Sequence, residues 1–357
     1  MGRLPIKTRV ALEIDRHLRH ERAAAHPLKQ LFWECTLRCN VHCLHCGSDC
    51  ASDELTPDMP ASDFLQAIDQ LTPHVNPHHT MIIISGGEPL VRPDLEEVGR
   101  ELYKREYPWG IVTNGLLLTR NRLDRLMQAG MHTMTVSLDG LEADHNWLRR
   151  HPHSFERAYA AIRLMRETPQ LKWDIVSCIN QRSFPHLQEI REMLVKAGVR
   201  EWRVFTIVPM GRAKGNAELQ LSGTQMRQLM DFIVETRRQG RILMSYSCEG
   251  FLGRYEGRVR SYLYTCQAGL SVAGIRVDGS ITGCNSIRSH YDQGNIYRDN
   301  IWEVWQNAFQ TYRQREWAKQ SAPCADCSLF RYCEGGPMHL RDEEGQLMFC
   351  HIQRMSV

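Results

Sequence analysis

The chain has 357 residues, of which 42% are hydrophobic and 24% charged, so it can bury a full core in more than one domain and is neither disordered nor fibrous. Its 44 basic and 41 acidic residues give a net charge of +3, too small an imbalance to indicate nucleic acid or a membrane as partner. The longest aliphatic run, residues 81–84, is far shorter than the ~20 residues that span a bilayer. Since residues 1–28 contain no signal-peptide pattern, we expect a cytoplasmic protein.

Cysteine is the informative residue type, because the chain has 13 of them. A reducing compartment disfavours a disulfide framework, and an odd number of cysteines cannot pair completely. Metal or iron–sulfur ligation is therefore the leading explanation for these cysteines.

The chain begins with a predicted amphipathic helix over residues 10–18, which we expect to lie on the domain that follows residue 28. Short β-branched runs then alternate with amphipathic stretches between residues 29 and 240, a pattern that predicts strand–helix units around a parallel sheet. Helix starts are indicated at Ser62, Pro93, Ser154, Ser183 and Ser222. The six predicted strands are residues 30–36, 80–85, 109–113, 133–138, 172–179 and 201–208.

Six strand–helix units are fewer than the eight of a complete barrel. The fold class is therefore predicted to be α/β, with a partial (β/α)6 TIM-like barrel over residues 29–240. Residues 1–28 form a helical extension in this prediction. Seven cysteines follow residue 240, and residues 275–282 indicate a hairpin with an Asp-Gly turn. Residues 241–357 are accordingly predicted to be a small, cysteine-rich α+β domain held together by ligands.

Cys39, Cys43 and Cys46 follow the first predicted strand directly, at the strand end where barrel enzymes place their active sites. A closed zinc or iron–sulfur site takes four protein ligands, so three thiolates leave one metal position open. The alternative is a structural zinc loop that takes its fourth ligand from one of four neighbouring side chains: Cys35, His42, His45 or Cys50.

The spacing C-x3-C-x2-C, with His45 just before the last cysteine, resembles the radical S-adenosylmethionine (SAM) superfamily. The resemblance implies that Cys39, Cys43 and Cys46 are the catalytic set and hold a [4Fe–4S] cluster whose fourth iron is chelated by SAM. It further implies that an electron from a donor such as flavodoxin or ferredoxin cleaves SAM. The 5′-deoxyadenosyl radical that results takes a hydrogen atom from the substrate.

Further segments at the strand ends are similar to family motifs, in the expected order. Ser85-Gly86-Gly87-Glu88-Pro89 looks like the segment that contacts the methionine amino group. By the same resemblance the SAM-binding residues are His45, Gly86, Gly87, Glu88, Asn114, Ser137, Asp139, Arg149 and Asn180. Arg150 stands where relatives more often have glycine. Taken alone, the glycine segment is also typical of a strand-to-helix turn. The last polar residues of the set, Asn180 among them, are equally typical of hydrogen bonding at strand ends.

Four cysteines near the C-terminus, Cys324, Cys327, Cys333 and Cys350, are enough to close a metal site, and their spacing allows either zinc or [4Fe–4S]. This segment resembles the SPASM domain, which carries auxiliary [4Fe–4S] clusters in radical SAM enzymes that act mainly on peptides and proteins. The resemblance favours iron–sulfur.

The chain departs from the SPASM pattern at two positions. Pro337 stands where a further cysteine ligand is usual, so the nearer auxiliary site keeps only Cys266, Cys284 and, as a third candidate, Cys248. These three either hold a cluster with an open iron or are buried structural thiols. Asn285 replaces the aspartate that serves as proton acceptor in sulfatase-maturating relatives, and since an amide has no useful basicity, that reaction is disfavoured unless another base serves.

The leading hypothesis is a radical SAM/SPASM enzyme that modifies a peptide or protein side chain, by crosslinking or oxidation. The alternatives are a radical SAM enzyme for a small metabolite or cofactor precursor and, from a different class, an iron–sulfur or zinc protein without catalysis. We expect a monomer with one or two auxiliary [4Fe–4S] clusters beside the SAM-binding one, which corresponds to about eight or twelve iron atoms per chain.

Overall fold

The computed structural model describes residues 4–247 and 250–356. Among these residues ten strands form one sheet in the order β10-β9-β8-β1-β2-β3-β4-β5-β6-β7. Each neighbouring pair from β1 to β7 is parallel, β8 is parallel to β1, and β9 and β10 continue antiparallel. The strands are β1 Gln30–Thr36, β2 Met81–Gly86, β3 Trp109–Thr113, β4 Met131–Ser137, β5 Lys172–Ile179, β6 Glu201–Thr206, β7 Leu243–Tyr246, β8 Val272–Ile275, β9 Ser280–Thr282 and β10 Gly294–Asn295.

Helices connect the parallel strands, as in a barrel that is not closed, which confirms the expected α/β class and partial barrel. Ser222 begins the longest of these connecting helices with a capping box, because its hydroxyl accepts from the Gln225 amide while the Gln225 side chain accepts from the Ser222 amide. The helices are α1 Ile6–Ala25, α2 Ala61–Leu71, α3 Leu95–Lys104, α4 Arg120–Gln128, α5 Glu142–Arg149, α6 Ser154–Arg166, α7 Leu187–Ala197, α8 Gly223–Gln239, α9 Ile301–Asn307, α10 Gln310–Arg313, α11 Phe330–Cys333 and α12 His351–Ser356. No helix within the described ranges is long and apolar enough to cross a membrane.

Three of the six expected strands have the expected bounds, and the other three shift by one or two residues. The sheet also extends beyond residue 240, since β7 pairs with β6 and β8 pairs with the outer edge of β1. At Ser62 the prediction of a helix cap is wrong, because α2 begins at Ala61 after Pro60 and the Ser62 hydroxyl contacts Asp63 instead.

The N-terminal helix is longer than expected and packs elsewhere. Helix α1 buries Leu12 and Arg19, and the Arg19 guanidinium donates to the carbonyls of Tyr264 (3.1 Å) and Tyr332 (3.0 Å) in the C-terminal region. The prediction that it lies on the barrel is therefore wrong. The apolar stripe that suggested burial on the barrel remains exposed at Ile6, Val10, Ile14 and Leu18, because the contact is made through the opposite side of the helix, which carries Leu12 and Arg19.

Alternation along β1 determines what faces the barrel interior. Trp33 and Cys35 are fully buried on the helix side, where the Trp33 ring stacks on Phe64 of α2 with centroids 4.1 Å apart. Because neighbouring side chains of a strand point to opposite faces, Phe32 and Glu34 face a cavity inside the barrel. The parallel strands thus bring their carboxyl ends, and the loops that follow them, to one edge of the sheet.

Candidate functional site

The loop that follows β1 carries three of the predicted ligands, Cys39, Cys43 and Cys46. It closes on itself, since the Cys39 amide donates to the Ala51 carbonyl over 2.9 Å. Arg212, which follows β6, clamps the loop: its Nε donates to the Cys43 carbonyl (2.8 Å) and its backbone N–H to the Cys46 carbonyl (3.1 Å). Arg212 was not predicted as a site residue, because it lies far along the chain from the loop and belongs to no motif.

A cavity of about 190 Å³, here called the cluster-loop cavity, opens beside these thiols. It brings together most of the predicted SAM-binding residues and shows that the ends of β1 to β4 converge. Its lining comprises Cys39, Val41, Cys43, His45, Cys46, Cys50, Ser85, Gly86, Gly87, Glu88, Val112, Thr113, Asn114, Ser137, Arg149 and Arg212.

The chemistry of this lining fits an iron–sulfur cluster. Burial raises the pKa of the Cys39 thiol to about 12, so this thiol ionises only against a cation such as iron. Asn114 Nδ2 lies 3.9 Å from Cys39 Sγ and Arg149 Nη1 lies 3.7 Å from Cys43 Sγ, which places donors where thiolate charge would stand. The Nδ1 atom of His45 is buried without a hydrogen-bond partner, as expected where a ligand supplies the missing contact.

Glu88 joins β2 to β3 as well as lining the cavity. Its carboxylate is 1% exposed and accepts hydrogen bonds from the Thr113 hydroxyl (2.6 Å), the Asn114 amide (2.7 Å) and the Leu90 amide (3.1 Å). Burial raises the pKa of Glu88 despite these donors. These contacts are therefore compatible with both interpretations of the segment, as a turn after β2 and as part of a ligand-binding site.

The two glycines before Glu88 have a packing role. A Cβ on Gly87 would lie 2.2 Å from the Arg38 carbonyl oxygen, and a Cβ on Gly86 would lie 2.3 Å from the Thr36 carbonyl oxygen. Gly86 also has a φ of +129°. The absent side chains thus let β2 pack against the base of the cysteine loop, rather than only making room for a ligand.

Asp139 and Arg149 form a buried ion pair after β4. Arg149 Nε lies 2.6 Å from Asp139 Oδ2, and although burial opposes it, the guanidinium lowers the pKa of Asp139 to about 2. The other carboxylate oxygen accepts from the Cys178 amide (2.8 Å). Arg150 follows α5 with φ +53° and ψ +41°, the left-handed conformation that glycine adopts without strain.

Several side chains lie near the Asp139–Arg149 pair. His145 is fully buried between the Asp139 amide, which donates to its Nδ1 (3.0 Å), and the Ser154 hydroxyl at its Nε2 (2.9 Å). The ligand atoms of His45, Asp139 and Cys178 all lie within 4.8 Å of one another.

Asn180 closes a turn after β5, because its Oδ1 accepts from the amides of Arg182 (2.9 Å) and Ser183 (3.2 Å). Its buried Nδ2 has no hydrogen-bond partner.

A second cavity of about 340 Å³, here called the inner cavity, lies inside the barrel and shares His45, Ser85 and Gly86 with the first. Glu34 of β1 contacts the guanidinium of Arg288, which also contacts the Ser48 hydroxyl. Glu34 and Arg288 were not predicted as site residues. The sequence signal for Glu34 was its charge within the apolar strand β1. The lining comprises Phe32, Glu34, His45, Gly47, Ser48, Ser85, Gly86, Cys178, Phe205, Thr206, Ile207, Val208, Met210, Cys284, Asn285, Ser286, Arg288 and His339.

The four C-terminal cysteines are brought together. Cys324, Cys327, Cys333 and Cys350 line one cavity of about 200 Å³. Burial raises the pKa of Cys333 to about 12, and the neighbouring Cys350 adds to the shift. Arg341, which was not predicted as a site residue either, is fully buried and donates to Cys324 Sγ over 3.6 Å.

The middle cysteines are partly described. Cys266 and Cys284 both pack against the main core, and the nearby Cys266 contributes to raising the pKa of Cys284, which burial dominates. Cys284 opens into the inner cavity together with His339, two residues after Pro337. Cys248, the third candidate, lies outside the described residues.

Two family models match the chain. The radical SAM superfamily model matches residues 33–194, and the model of the SPASM iron–sulfur cluster-binding domain matches residues 266–328. The first match contains the cysteine loop and the barrel strands through β5, and the second contains Cys266, Cys284, Cys324 and Cys327 and ends before Cys333.

Curated relatives align over most of their length. The AdoMet-dependent heme synthase of Methanosarcina barkeri is 26% identical over 319 residues, which cover 85% of this chain and 89% of that protein. The mycofactocin maturase MftC of Mycobacterium tuberculosis is 27% identical over 312 residues, or 86% of this chain and 78% of that protein.

Solved structures share the fold at lower identity. Streptococcus suis SuiB bound to precursor peptide SuiA superposes with a TM-score of 0.69 at 17% identity, covering 90% of this chain and 74% of that one. The anSMEcpe structure with bound AdoMet and the Cp18Cys peptide gives a TM-score of 0.71 at 20% identity, covering 92% of this chain and 95% of that one.

Proposed function

The chain belongs to the radical SAM superfamily and carries a SPASM domain, and from that premise we propose that it abstracts a hydrogen atom from a side chain of a peptide or protein. It is a radical SAM enzyme, and its cofactors are [4Fe–4S] clusters and SAM, which when bound supply the hydrogen-abstracting chemistry. The electron donor in this proposal is a small redox protein such as flavodoxin or ferredoxin. Location in the cytoplasm and a monomeric state stay predictions.

The cysteine loop is proposed to hold the catalytic cluster through Cys39, Cys43 and Cys46. Their shared cavity and the donors at two of their sulfurs support this assignment. The adjoining Gly86-Gly87-Glu88 segment would offer the Glu88 carboxylate to the SAM ammonium group. The Asp139–Arg149 pair would hold Arg149 in place for the SAM carboxylate, since a guanidinium suits a carboxylate partner. Cys324, Cys327, Cys333 and Cys350 are proposed to hold an auxiliary cluster.

The observation that carries the choice of substrate is the inner cavity. Its volume of about 340 Å³ lies at the small end of the range of about 300–1,000 Å³ for ligand pockets. Its lining combines aromatic and aliphatic side chains, among them Phe32 and Phe205, with the charged side chains of Glu34 and Arg288. A single side chain entering from a peptide matches this size and lining.

Within that cavity Glu34 is proposed to take the role that Asn285 cannot. Asn285 lies in the same cavity, where its Nδ2 donates to the Ser85 hydroxyl over 3.5 Å. Glu34 is 1% exposed and offers a carboxylate that Arg288 holds in place. It can therefore accept a proton or hydrogen bond from a hydroxyl, thiol or ammonium group of the substrate.

A second candidate is a radical SAM reaction on a small metabolite. The likeness to a heme synthase over most of both chains favours it. In that case the substrate would have to occupy more of the open barrel than the inner cavity alone.

The test gives the anaerobically reconstituted, reduced enzyme SAM together with either a short peptide encoded by a neighbouring reading frame or an iron porphyrin. We expect the peptide to raise the yield of 5′-deoxyadenosine and to change in mass. A response to the porphyrin alone would favour the second candidate, and a protein with full iron that forms no 5′-deoxyadenosine would overturn both.

Changing Glu34 to Gln removes the proton acceptor but keeps the shape of the side chain. We expect the ratio of product to 5′-deoxyadenosine to fall about 100-fold, the lower end of the usual contribution of a general base. Glu97→Gln, at an exposed carboxylate of α3, should leave this ratio unchanged. An unchanged ratio in Glu34→Gln would remove Glu34 from the mechanism.

A further inference from the structure

Two buried arginines near the C-terminal cysteines have no acidic partner. Arg341 is fully buried and Arg315 is 7% exposed. Within the described ranges, their guanidinium groups donate only to carbonyl oxygens, one hydroxyl and one sulfur, and never to a carboxylate. The Nε atom of each has no hydrogen-bond partner. Because a buried charge is costly unless it is paired, these two arginines need an anion other than an Asp or Glu side chain.

The packing around Arg341 holds its guanidinium against the cysteine site. Its Nη2 donates to the Gly335 carbonyl (2.6 Å) and to Cys324 Sγ (3.6 Å), and its Nη1 donates to the Ser321 hydroxyl (3.0 Å). Gly335 has a φ of +78°, and a Cβ at this position would lie 2.4 Å from Arg341 Nη2. The glycine therefore leaves the space that the guanidinium occupies, and the charge has a fixed position beside the Cys324 sulfur.

Arg315 places a second positive charge near the first. Its Nη2 donates to the Gly336 carbonyl over 2.8 Å, next to the carbonyl that Arg341 contacts. The Cζ atoms of Arg315 and Arg341 lie 5.5 Å and 5.1 Å from the centroid of the same Trp317 ring. An indole ring attracts cations but carries no net charge, so Trp317 does not neutralise the two guanidinium groups.

The anion that fits this position is a metal centre at the cavity lined by Cys324, Cys327, Cys333 and Cys350, here called the four-cysteine cavity. Cysteine binds iron as a thiolate, and a [4Fe–4S] cluster with four thiolate ligands has a net negative charge. That charge would stand directly beside the Arg341 guanidinium, since Cys324 is one of the proposed ligands.

We infer that Arg341, assisted by Arg315, supplies the counter-charge of the auxiliary cluster at the four-cysteine cavity and raises the reduction potential of that cluster. Reduction adds one negative charge, which a guanidinium attracts strongly in a buried site. Hydrogen bonds to the sulfurs are also among the determinants of cluster potential. An electron from the small redox protein of the proposed function is therefore accepted here more readily than beside a neutral side chain. This inference rests on the proposed function, which makes the four cysteines cluster ligands.

The test compares Arg341→Gln, which removes the charge, with Arg341→Lys, which keeps a cation. In the anaerobically reconstituted enzyme this cluster is identified by a paramagnetic signal that SAM does not change and that Cys333→Ala loses, together with about four irons per chain. We expect Arg341→Gln to lower the ratio of reduced to oxidised cluster at a fixed potential by about tenfold, which corresponds to about 59 mV for one electron. Arg341→Lys should lower this ratio by less than about threefold.

Arg191→Gln is the matched control, because Arg191 is a buried arginine of α7 that pairs with Glu192 and does not line the four-cysteine cavity. It should leave the ratio unchanged. Arg315→Gln removes a buried charge that makes no hydrogen bond to a sulfur, and we expect it to lower the ratio by about threefold. This variant decides the question if Arg341→Gln does not retain its iron.

The inference is overturned if Arg341→Gln retains its iron and has the wild-type ratio, or if Arg341→Lys lowers the ratio as far as Arg341→Gln does. It is also overturned if Arg191→Gln gives the same decrease, or if Arg341→Gln loses its iron while Arg315→Gln has the wild-type ratio. A Cys333→Ala protein that keeps all its iron and every paramagnetic signal would instead refute the proposed auxiliary site, and with it that part of the proposed function.

Discussion

His145 is a fully buried histidine whose ring contacts the Asp139 amide, beside the Asp139–Arg149 ion pair. Burial lowers its pKa to about 3, so the folded protein holds a neutral imidazole where an unfolded chain titrates near 6.5. A lowered histidine pKa stabilises the fold fully above about pH 6.5, and this contribution is lost as the pH falls toward the folded value.

We therefore expect the free energy of unfolding of His145→Gln to decrease less than that of the wild-type protein as the pH is lowered. Between pH 6.5 and pH 5 this imidazole accounts for about 2 kcal/mol of the wild-type decrease in the free energy of unfolding, and the variant lacks that part. Urea unfolding at both pH values measures it. His153→Gln changes an exposed histidine and should keep the wild-type slope; equal slopes in wild type and His145→Gln would contradict the expectation.

Individual site residues differ in how far the sequence predicts them. Cys39, Cys43 and Cys46 have a fixed spacing directly after β1, and Glu88 follows the next strand, β2. Their convergence therefore follows from parallel strands ending at one edge. Arg212 and Arg288 contact the cysteine loop and Glu34 from far along the chain, and Arg341 contacts Cys324 from outside the cysteine spacing. Since such contacts depend on tertiary packing and not on spacing, no local pattern reveals them.

At the scale of elements, the approach of β2 to the cysteine loop depends on an absent side chain. We expect Gly87→Ala to lose about four irons per chain, because its Cβ would overlap the Arg38 carbonyl oxygen and displace the loop. Iron analysis after reconstitution measures this loss.

The matched change for Gly87→Ala is Gly240→Ala. Gly240 has a φ of +70° at the end of α8 with no atom near an added Cβ, so this variant is strained by about 1 kcal/mol but should retain its iron. Full iron in Gly87→Ala would show that the loop tolerates the displacement.

Helix α1 contacts the C-terminal region through Leu12 and through the buried guanidinium of Arg19. Arg19 is 4% exposed and forms an ion pair with Glu334, directly after Cys333, as well as its two carbonyl contacts. We expect Arg19→Ala to lower the free energy of unfolding by about 2 kcal/mol or more, since buried acceptors lose a charged donor.

Arg16→Ala provides the comparison for Arg19→Ala, because its side chain is 40% exposed and pairs only within the helix. Exposed pairs of this kind contribute about 0–1 kcal/mol. Urea unfolding of the two variants measures the difference; equal losses would mean that the docking of α1 does not stabilise the C-terminal region.

Elements were predictable where their pattern is local. The bounds of β1, β3 and β5 follow from β-branched and aromatic runs bounded by polar residues. Strand β7 was not predicted, because it has four residues and begins with a half-exposed Leu243. The position of α1 could not follow from its apolar stripe, since that stripe is the side it leaves in solvent.

At the scale of the whole molecule, the barrel and the cysteine-rich region share a sheet. Strand β8 pairs with β1 from Gln30 to Trp33, so a chain ending at residue 240 would expose the backbone groups of that edge to other chains. We expect such a fragment to aggregate, as measured by its soluble yield and size-exclusion profile. A soluble, monomeric fragment with about four irons would show that the barrel folds independently.

The pairing of β8 with β1 also bears on electron transfer. Cys39 follows β1 through a closed loop, and Cys284 lies just after β9, which is hydrogen-bonded to β8. Both ends of this route are anchored to neighbouring strands without a flexible linker between them. A cluster held by the cysteine loop and one held at Cys284 would therefore exchange electrons across parts of a single hydrogen-bonded sheet.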